Sequence, residues 1–175
     1  MPRLLGASQM TFSEAVGYVL EFEKGYVNDP HDPGGETKFG ISKRSYPDIN
    51  IKEISRDEAI EIYKKDYWLK IKAEFLPQRL RLLAFDCAVN QGAVRAIKIL
   101  QRCLKIEEDG VFGEKTGRAI LNFKDTDLTI EYAKIRLHYY TQNRPKWMMY
   151  GVGWMRRLLE ISLVSALSDE GESQC

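Results

Sequence analysis

The sequence predicts a mainly α-helical protein with a small irregular loop or β-ribbon after the first helix. Apolar residues recur at helical spacing through most of the chain, and two capping boxes mark helix starts. Only residues 25–41 break this pattern, because they contain two Pro, four Gly, two Asp and one Asn. A chain of 175 residues can bury a core without disulfides or a metal.

The first helix is predicted from about Thr11 to about Lys24. Thr11 and Glu14 form a capping box, and a stripe of apolar residues follows at helical spacing. Gly25 is a typical residue to follow a helix end. Glu23 therefore lies in the last helical turn, directly before the irregular loop.

The remaining helices divide the chain into segments. Ser55 and Glu58 form the second capping box, which opens a helix to about Lys72. Apolar stripes then predict further helices, near residues 80–88, 93–104, 116–123, 128–143 and 154–167. We expect a disordered extension over 1–10, a first segment over 11–75, a helical segment over 76–168 packed with it as one globule, and a tail over 169–175.

Composition disfavours several classes of function. Twenty-six basic and twenty-five acidic residues leave a net charge of +1, whereas proteins that bind nucleic-acid phosphates usually carry a basic surplus. No apolar run is long enough to span a membrane. Three Cys without a CxxC motif and two distant His make a zinc site improbable, so we expect neither a metal nor a cofactor.

Glu23 is the first candidate catalytic residue. The C-terminal end of a helix is negatively polarised, which favours the protonated form of a carboxyl group placed there. A glycosidase needs such a protonated carboxyl to donate a proton to the leaving sugar oxygen. The alternative is an ordinary surface glutamate paired with Lys24.

Asp32 and Thr37 could face Glu23 if the loop turns back on the helix end. A glycosidase requires a second group across the sugar, either to attack it or to activate water. Asp29 and Asp32 each precede a proline, so both could equally be turn-forming residues. That alternative is the better interpretation of Asp29, whereas for Asp32 the two interpretations are equally good.

Several motifs occur in order along residues 12–161. They are Glu23-Lys24-Gly25-Tyr26, Asp32 to Ile41, Tyr67-Trp68, Phe85 to Gly92, Asp109 to Thr116, and Gly153 to Arg157. Together they resemble the glycoside hydrolase family 108 lysozymes, which include phage endolysins and bacterial proteins once labelled secretion activators. The stretch from Asp109 resembles the turn of a small peptidoglycan-binding module.

This resemblance implies a lysozyme-like fold and a peptidoglycan substrate. The implied reaction is hydrolysis of the β-1,4 bond between N-acetylmuramic acid and N-acetylglucosamine. Glu23 matches the family's catalytic glutamate and would be the general acid. By a looser analogy with phage-type lysozymes, Asp32 and Thr37 would position or activate water. Residues 11–75 would then be the catalytic segment, and 76–168 the segment resembling the peptidoglycan-binding module.

Four further residues are candidates for substrate binding. Tyr26 and Trp68 could provide platforms for sugar rings, although core packing is the more common role of an aromatic residue on a helical stripe. Asn90 and Gln91 could bind acetamido groups, although a simple turn with polar caps explains them as well.

The expected partner is peptidoglycan, bound by a monomer without nucleic acid or membrane. The first ten residues lack the apolar stretch of a secretory signal, so we expect synthesis in the cytoplasm and action on the periplasmic wall after membrane permeabilisation. Two alternatives remain: a non-catalytic peptidoglycan-binding or secretion-accessory protein, and a hydrolase of another polymer such as chitin or chitosan.

Overall fold

The computed structural model describes residues 9–22, 25–26, 28, 35–142 and 144–167. The helices in this part of the chain are α1 (Phe12–Phe22), α2 (Arg56–Tyr63), α3 (Gln78–Gln91), α4 (Ala93–Cys103), α5 (Glu114–Ile120), α6 (Asp125–Gln142) and α7 (Arg144–Leu167). The strands β1 (Thr37–Lys38) and β2 (Ile41–Ser42) form an antiparallel hairpin. The mainly α, lysozyme-like fold with a small β-ribbon after the first helix is confirmed.

The start of α1 follows the predicted capping box. The Thr11 amide donates to the Glu14 carboxylate at 2.9 Å, and the Glu14 amide donates to Thr11 Oγ1 at 3.3 Å. Met10 lies in the predicted extension, but it is buried and its amide donates to Gln78 Oε1 at 2.7 Å. The folded chain therefore begins at or before Met10. Residues 1–8 and the predicted tail at 169–175 lie outside the described residues.

The hairpin turns at Phe39 and Gly40, whose φ angles are +51° and +71°. A two-residue turn with positive φ at both positions matches the twist of the paired strands, and glycine adopts that conformation without steric cost. The Phe39 carbonyl accepts a 2.6 Å hydrogen bond from the Tyr63 hydroxyl, which holds the hairpin against the end of α2.

A small apolar cluster supports this part of the molecule. It contains the buried residues Ile41, Ile51, Ile54 and Ala59, and therefore joins the hairpin to α2. Beyond α2 the chain continues through a π-helical turn, Lys64–Trp68, and a 3-10 turn, Ala73–Phe75. We call residues 35–67, from the hairpin through α2 and into the π-helical turn, the small lobe.

The larger apolar cluster is built around α3. It includes buried residues from Met10 to Ile161, so α1, α3, α4, α6 and α7 share one core. Gly92 separates α3 from α4 with a φ of +88°, a conformation that favours glycine. The division of the chain at residues 75 and 76 remains a prediction.

The last helix is longer than its apolar pattern predicts. It begins at Arg144 rather than near Trp154, with Pro145 in its first turn, where the missing amide hydrogen costs nothing. Met148 and Met149 lie within it and are 84% and 72% exposed. In the described ranges, no helix is both long and apolar enough to cross a membrane.

Candidate active site

A cleft of about 520 Å³ separates the small lobe from the helices around α3. Its small-lobe wall, which includes part of the π-helical turn, contributes polar and aromatic side chains. Its helical wall is formed by the α3–α4 junction and part of α6. The lining residues are Tyr46, Asp66, Tyr67, Lys70, Gln91, Gly92, Ala93, Val94, Arg95, Lys98 and Tyr139. This combination of aromatic faces and hydrogen-bonding groups suits a sugar chain.

The small-lobe wall is organised by Asp66. The Tyr46 hydroxyl donates to Asp66 Oδ2 at 3.0 Å, and Lys70 Nζ lies 3.1 Å from Asp66 Oδ1. Burial, together with hydrogen bonding to Tyr67 and Asp66, raises the pKa of Tyr46, so its hydroxyl stays protonated. Asp66 and Tyr67 lie in the π-helical turn, a distortion that often occurs at functional sites.

The helical wall presents Gln91 beside several cations. Gln91 Oε1 accepts from Arg136 Nε at 3.3 Å and from the Cys87 thiol at 3.2 Å, which fixes the orientation of the amide. The guanidinium groups of Arg95 and Arg102 each lie 5.1 Å from the centroid of the Tyr139 ring. Among the predicted site residues that the structure describes, Gln91 is the one that lines this cleft.

Behind the cleft, Asp86 of α3 binds two arginines in the core. Arg136 Nη2 donates to Asp86 Oδ2 at 2.6 Å, and Arg157 Nε donates to Asp86 Oδ1 at 2.8 Å. Burial lowers the pKa of Arg136, but its interactions with Asp86, Cys87 and Tyr140 together outweigh this effect, and the net shift is upward. Arg136 therefore remains a cation although its side chain is fully buried.

This network also reaches the end of α1. The Arg157 guanidinium lies 4.8 Å from the centroid of the Phe22 ring, and Phe22 is the last residue of α1. A cation near a helix C-terminus is favourable because the helix dipole is negative there. The predicted catalytic residues Glu23 and Asp32 lie outside the described residues.

Thr37 and Tyr26 lie along the same stretch of loop and hairpin. Thr37 is half-buried in β1, and its hydroxyl donates to the Gly35 carbonyl at 3.4 Å. Tyr26 is 39% exposed and donates to Glu36 Oε1 at 3.0 Å. The Tyr26–Glu36 bond therefore joins the loop after α1 to the residue next to Thr37.

Trp68 and Asn90 are placed away from the cleft surface. Trp68 is 1% exposed, its ring packs edge-on against Phe12 and Phe85, and its indole donates to Glu74 at 2.9 Å. This position favours the packing role over sugar stacking. Asn90 is exposed and donates to the Asp86 carbonyl at 2.9 Å, so it closes the last turn of α3.

The turn from Asp109 is held by internal hydrogen bonds. Buried Gln101 donates to Asp109 Oδ1 at 2.6 Å and accepts from the Gly110 amide at 2.8 Å, while the Val111 amide donates to Asp109 Oδ1 at 2.8 Å. These contacts explain the turn as a structural element. Among the described residues, no group of three or more His, Cys, Asp or Glu side chains could hold a metal.

Sequence reasoning missed most of the cleft and the buried ion network. At the level of sequence, Arg95 and Lys98 look like the solvated face of α4, and Arg136 and Arg157 look like surface cations. The short motif containing Asp86 was recognised, but its partners lie 50 and 71 residues further along the chain. Periodicity does not identify contacts at that separation.

Comparison with known proteins supports the resemblance. The family model for glycosyl hydrolase 108 matches residues 16–92. The solved structure of Brucella abortus SagA is 28% identical and superposes with a TM-score of 0.83, covering 91% of this chain and 97% of SagA. No curated protein matches significantly. Residues 16–92 of the chain thus match the glycosyl hydrolase 108 family, which supports glycoside hydrolase activity on a glycan such as peptidoglycan.

Proposed function

We propose that the chain is a lysozyme-type peptidoglycan hydrolase. It cleaves the β-1,4 bond between N-acetylmuramic acid and N-acetylglucosamine by carboxyl acid catalysis. The observation that carries the proposal is the family match over residues 16–92, because this segment contains Glu23, Asp32 and Thr37 and supplies the small lobe of the cleft.

In this proposal Glu23 is the general acid. Helix α1 ends at Phe22, which directly precedes Glu23 in the sequence, and the negatively polarised end of a helix favours a protonated carboxyl. Glu23 protonates the glycosidic oxygen as the bond breaks and positive charge develops on the sugar. Asp32 and Thr37 stabilise that charge or activate water on the opposite face of the ring. We expect Asp32→Asn and Thr37→Ala to lower turnover more than binding.

The lining of the cleft supports peptidoglycan, rather than chitin, as the substrate. Tyr46, Tyr67 and Gln91 offer aromatic surface and amide groups for acetylated sugars. Lys70, Arg95 and Lys98 add cations, and the peptide stems of peptidoglycan carry carboxylates that neutral chitin lacks. In this proposal a glycan strand that bears peptide stems binds in this cleft, and Tyr26 is a further candidate for substrate binding.

Access to the wall completes the proposal. A protein made in the cytoplasm would reach periplasmic peptidoglycan after the membrane is permeabilised, as a phage endolysin does. Residues 76–168 would contact peptidoglycan of the cell wall and would also form the helical side of the cleft. Neither nucleic acid nor a membrane is a partner in this scheme.

Product analysis tests the proposal against its alternatives. Purified sacculi are digested and the released fragments are identified by mass spectrometry. Fragments ending in reducing muramic acid support a muramidase, and reducing glucosamine ends would contradict it. Binding to sacculi without any fragment release would instead identify a wall-binding or secretion-accessory protein.

A further inference from the structure

The outward face of α7 carries a continuous apolar stripe. Its residues are large and solvent-exposed, although the helix lies within a folded protein: Met148 84%, Val152 89%, Leu159 56%, Leu163 64% and Leu167 66%. Met155 is half-buried between them. A monomeric protein rarely exposes a contiguous apolar surface of this kind unless it binds something.

The stripe is separate from the face that packs inside the protein. Gly151, Leu158, Ile161 and Ser165 are the buried residues of α7 and face the core, where the helix contacts α3 and α6. At 3.6 residues per turn, the positions from Met148 to Leu163 in the stripe fall within roughly 80° of the helix circumference. The helix therefore has two apolar faces, and the outer face lacks a partner among the described residues.

The order of residues in the stripe is self-complementary in the antiparallel direction. Met148 and Leu167, Val152 and Leu163, and Met155 and Leu159 are three nested pairs. The midpoints of the first two pairs lie between residues 157 and 158, and that of the third lies at residue 157, so one two-fold axis brings all three pairs into register to within half a residue. Such a surface matches the isologous interface of a symmetric dimer, in which residue i contacts residue j and j contacts i.

The charges beside the stripe favour the same arrangement. Arg156 and Glu160 lie on one flank of α7, joined by a 2.7 Å ion pair, and their midpoint is residue 158. In an antiparallel helix pair each flank faces the same flank of the partner, so Arg156 meets the partner's Glu160 twice across the interface. In a parallel pair this flank would face the opposite flank of the partner helix, where Ser162 carries no charge.

We propose that the outer face of α7 is a homodimer interface, formed by antiparallel pairing with α7 of a second copy about an axis near residue 157. This replaces the monomer expected from the sequence. The stripe from Met148 to Leu167 spans about 28 Å at 1.5 Å per residue, which gives about five turns of contact between the two copies. The interface lies apart from the residues that line the cleft, so the inference does not depend on the proposed function.

The oligomeric state tests the interface first. Sedimentation of the full chain across micromolar concentrations should show a reversible monomer–dimer equilibrium. Leu159→Glu should weaken the dimer at least tenfold, because it places two charges at the centre of the interface. Leu121→Glu, at an 84% exposed leucine outside α7, is the matched control and should leave the equilibrium unchanged. A wild-type chain that stays monomeric throughout this range would overturn the proposal.

A charge-swap series tests the antiparallel orientation. Arg156→Glu and Glu160→Arg each place like charges opposite one another, so each should weaken the dimer. The double variant restores opposite charges across the interface and should recover dimerisation. Because the single variants also remove the 2.7 Å pair within the helix, circular dichroism should show that all three remain helical. A double variant no better than either single variant would contradict the pairing.

Cysteine crosslinking measures the orientation directly. In a Cys175→Ser background, Val152→Cys and Leu163→Cys chains are oxidised separately and as a mixture. The antiparallel pair brings residue 152 of one copy beside residue 163 of the other, so the mixture should crosslink. Each variant alone should not crosslink, because like residues lie about 16 Å apart along the axis. The reverse pattern would indicate a parallel pair and refute the proposal.

Discussion

The guanidinium of Arg157 lies 4.8 Å from the centre of the Phe22 ring, so the last helix holds the final residue of the first. Asp86 fixes that guanidinium by accepting a 2.8 Å hydrogen bond from its Nε. The position proposed for the catalytic acid, Glu23, follows Phe22 directly. Arg157 therefore contacts the residue that directly precedes the proposed acid in the sequence, although the two are 135 positions apart (157 − 22 = 135).

Arg157→Lys should lower turnover about tenfold. Lysine keeps the positive charge but lacks the planar group that stacks on Phe22 while donating to Asp86. A small misplacement of a catalytic group is enough for such a loss. Turnover on purified sacculi and the urea midpoint are measured together. Arg118→Lys, on the exposed surface of α5, is the control, and equal turnover of both variants would exclude the positioning role.

Asp86→Asn should destabilise the protein by about 3–5 kcal/mol. The side chains of Asp86 and Arg136 are fully buried, and loss of the carboxylate leaves the Arg136 charge without compensation in the core. Urea unfolding followed by circular dichroism measures the difference in the free energy of unfolding. Asp48→Asn, at an exposed aspartate, should change it by less than about 0.5 kcal/mol. A similar small effect at Asp86 would show that the ion network contributes little.

Arg95→Ala and Lys98→Ala should raise KM for sacculi with little change in kcat. An exposed cation contributes up to about 1 kcal/mol to binding, which corresponds to about fivefold in KM for each. The increase should shrink in high salt, because ions screen attraction between exposed charges. Lys115→Ala and Lys134→Ala remove exposed cations elsewhere and serve as controls. If the four variants are indistinguishable, the cleft does not recognise peptide carboxylates.

Asp109 should stabilise the fold above about pH 4 and not in strong acid. Hydrogen bonds from the Val111 amide and the Gln101 side chain lower the pKa of Asp109 in the folded protein below its unfolded value. A lowered carboxyl pKa contributes stability above the unfolded pKa, near 3.9, and that contribution is lost as the pH falls through the folded value. Asp109→Asn should therefore have a lower urea midpoint than wild type at pH 6, and the gap should narrow below pH 4. A difference in urea midpoint between the two proteins that does not change with pH would refute this linkage.

Local patterns in the sequence predict the helices well. The two capping boxes, Thr11–Glu14 and Ser55–Glu58, both form as predicted, and Gly92 divides two helices at the predicted place. These features depend on residues three or four positions apart, so the sequence contains the whole interaction. Helix α7 begins ten residues earlier than its apolar stripe suggests, because Pro145 is tolerated in a first turn.

Long-range contacts could not be predicted in the same way. Trp68 fits both a sugar platform and a core residue by sequence, and only packing against Phe12 and Phe85 distinguishes them. The wall of the cleft combines Tyr46 of the loop after β2 with Gln91 of α3 and Tyr139 of α6. Such a surface depends on how the helices pack, and helical periodicity does not specify that.

The most direct measurement is turnover of the Glu23→Gln variant on purified sacculi. Glutamine keeps the shape of the side chain but has no proton to donate to the glycosidic oxygen. Glu21→Gln, two residues earlier on the exposed face of α1, is the matched control. The account predicts that wild type and Glu21→Gln release muropeptides at similar rates, while Glu23→Gln folds normally and is about 10²–10⁴-fold slower. Unchanged release by a folded Glu23→Gln variant would contradict it.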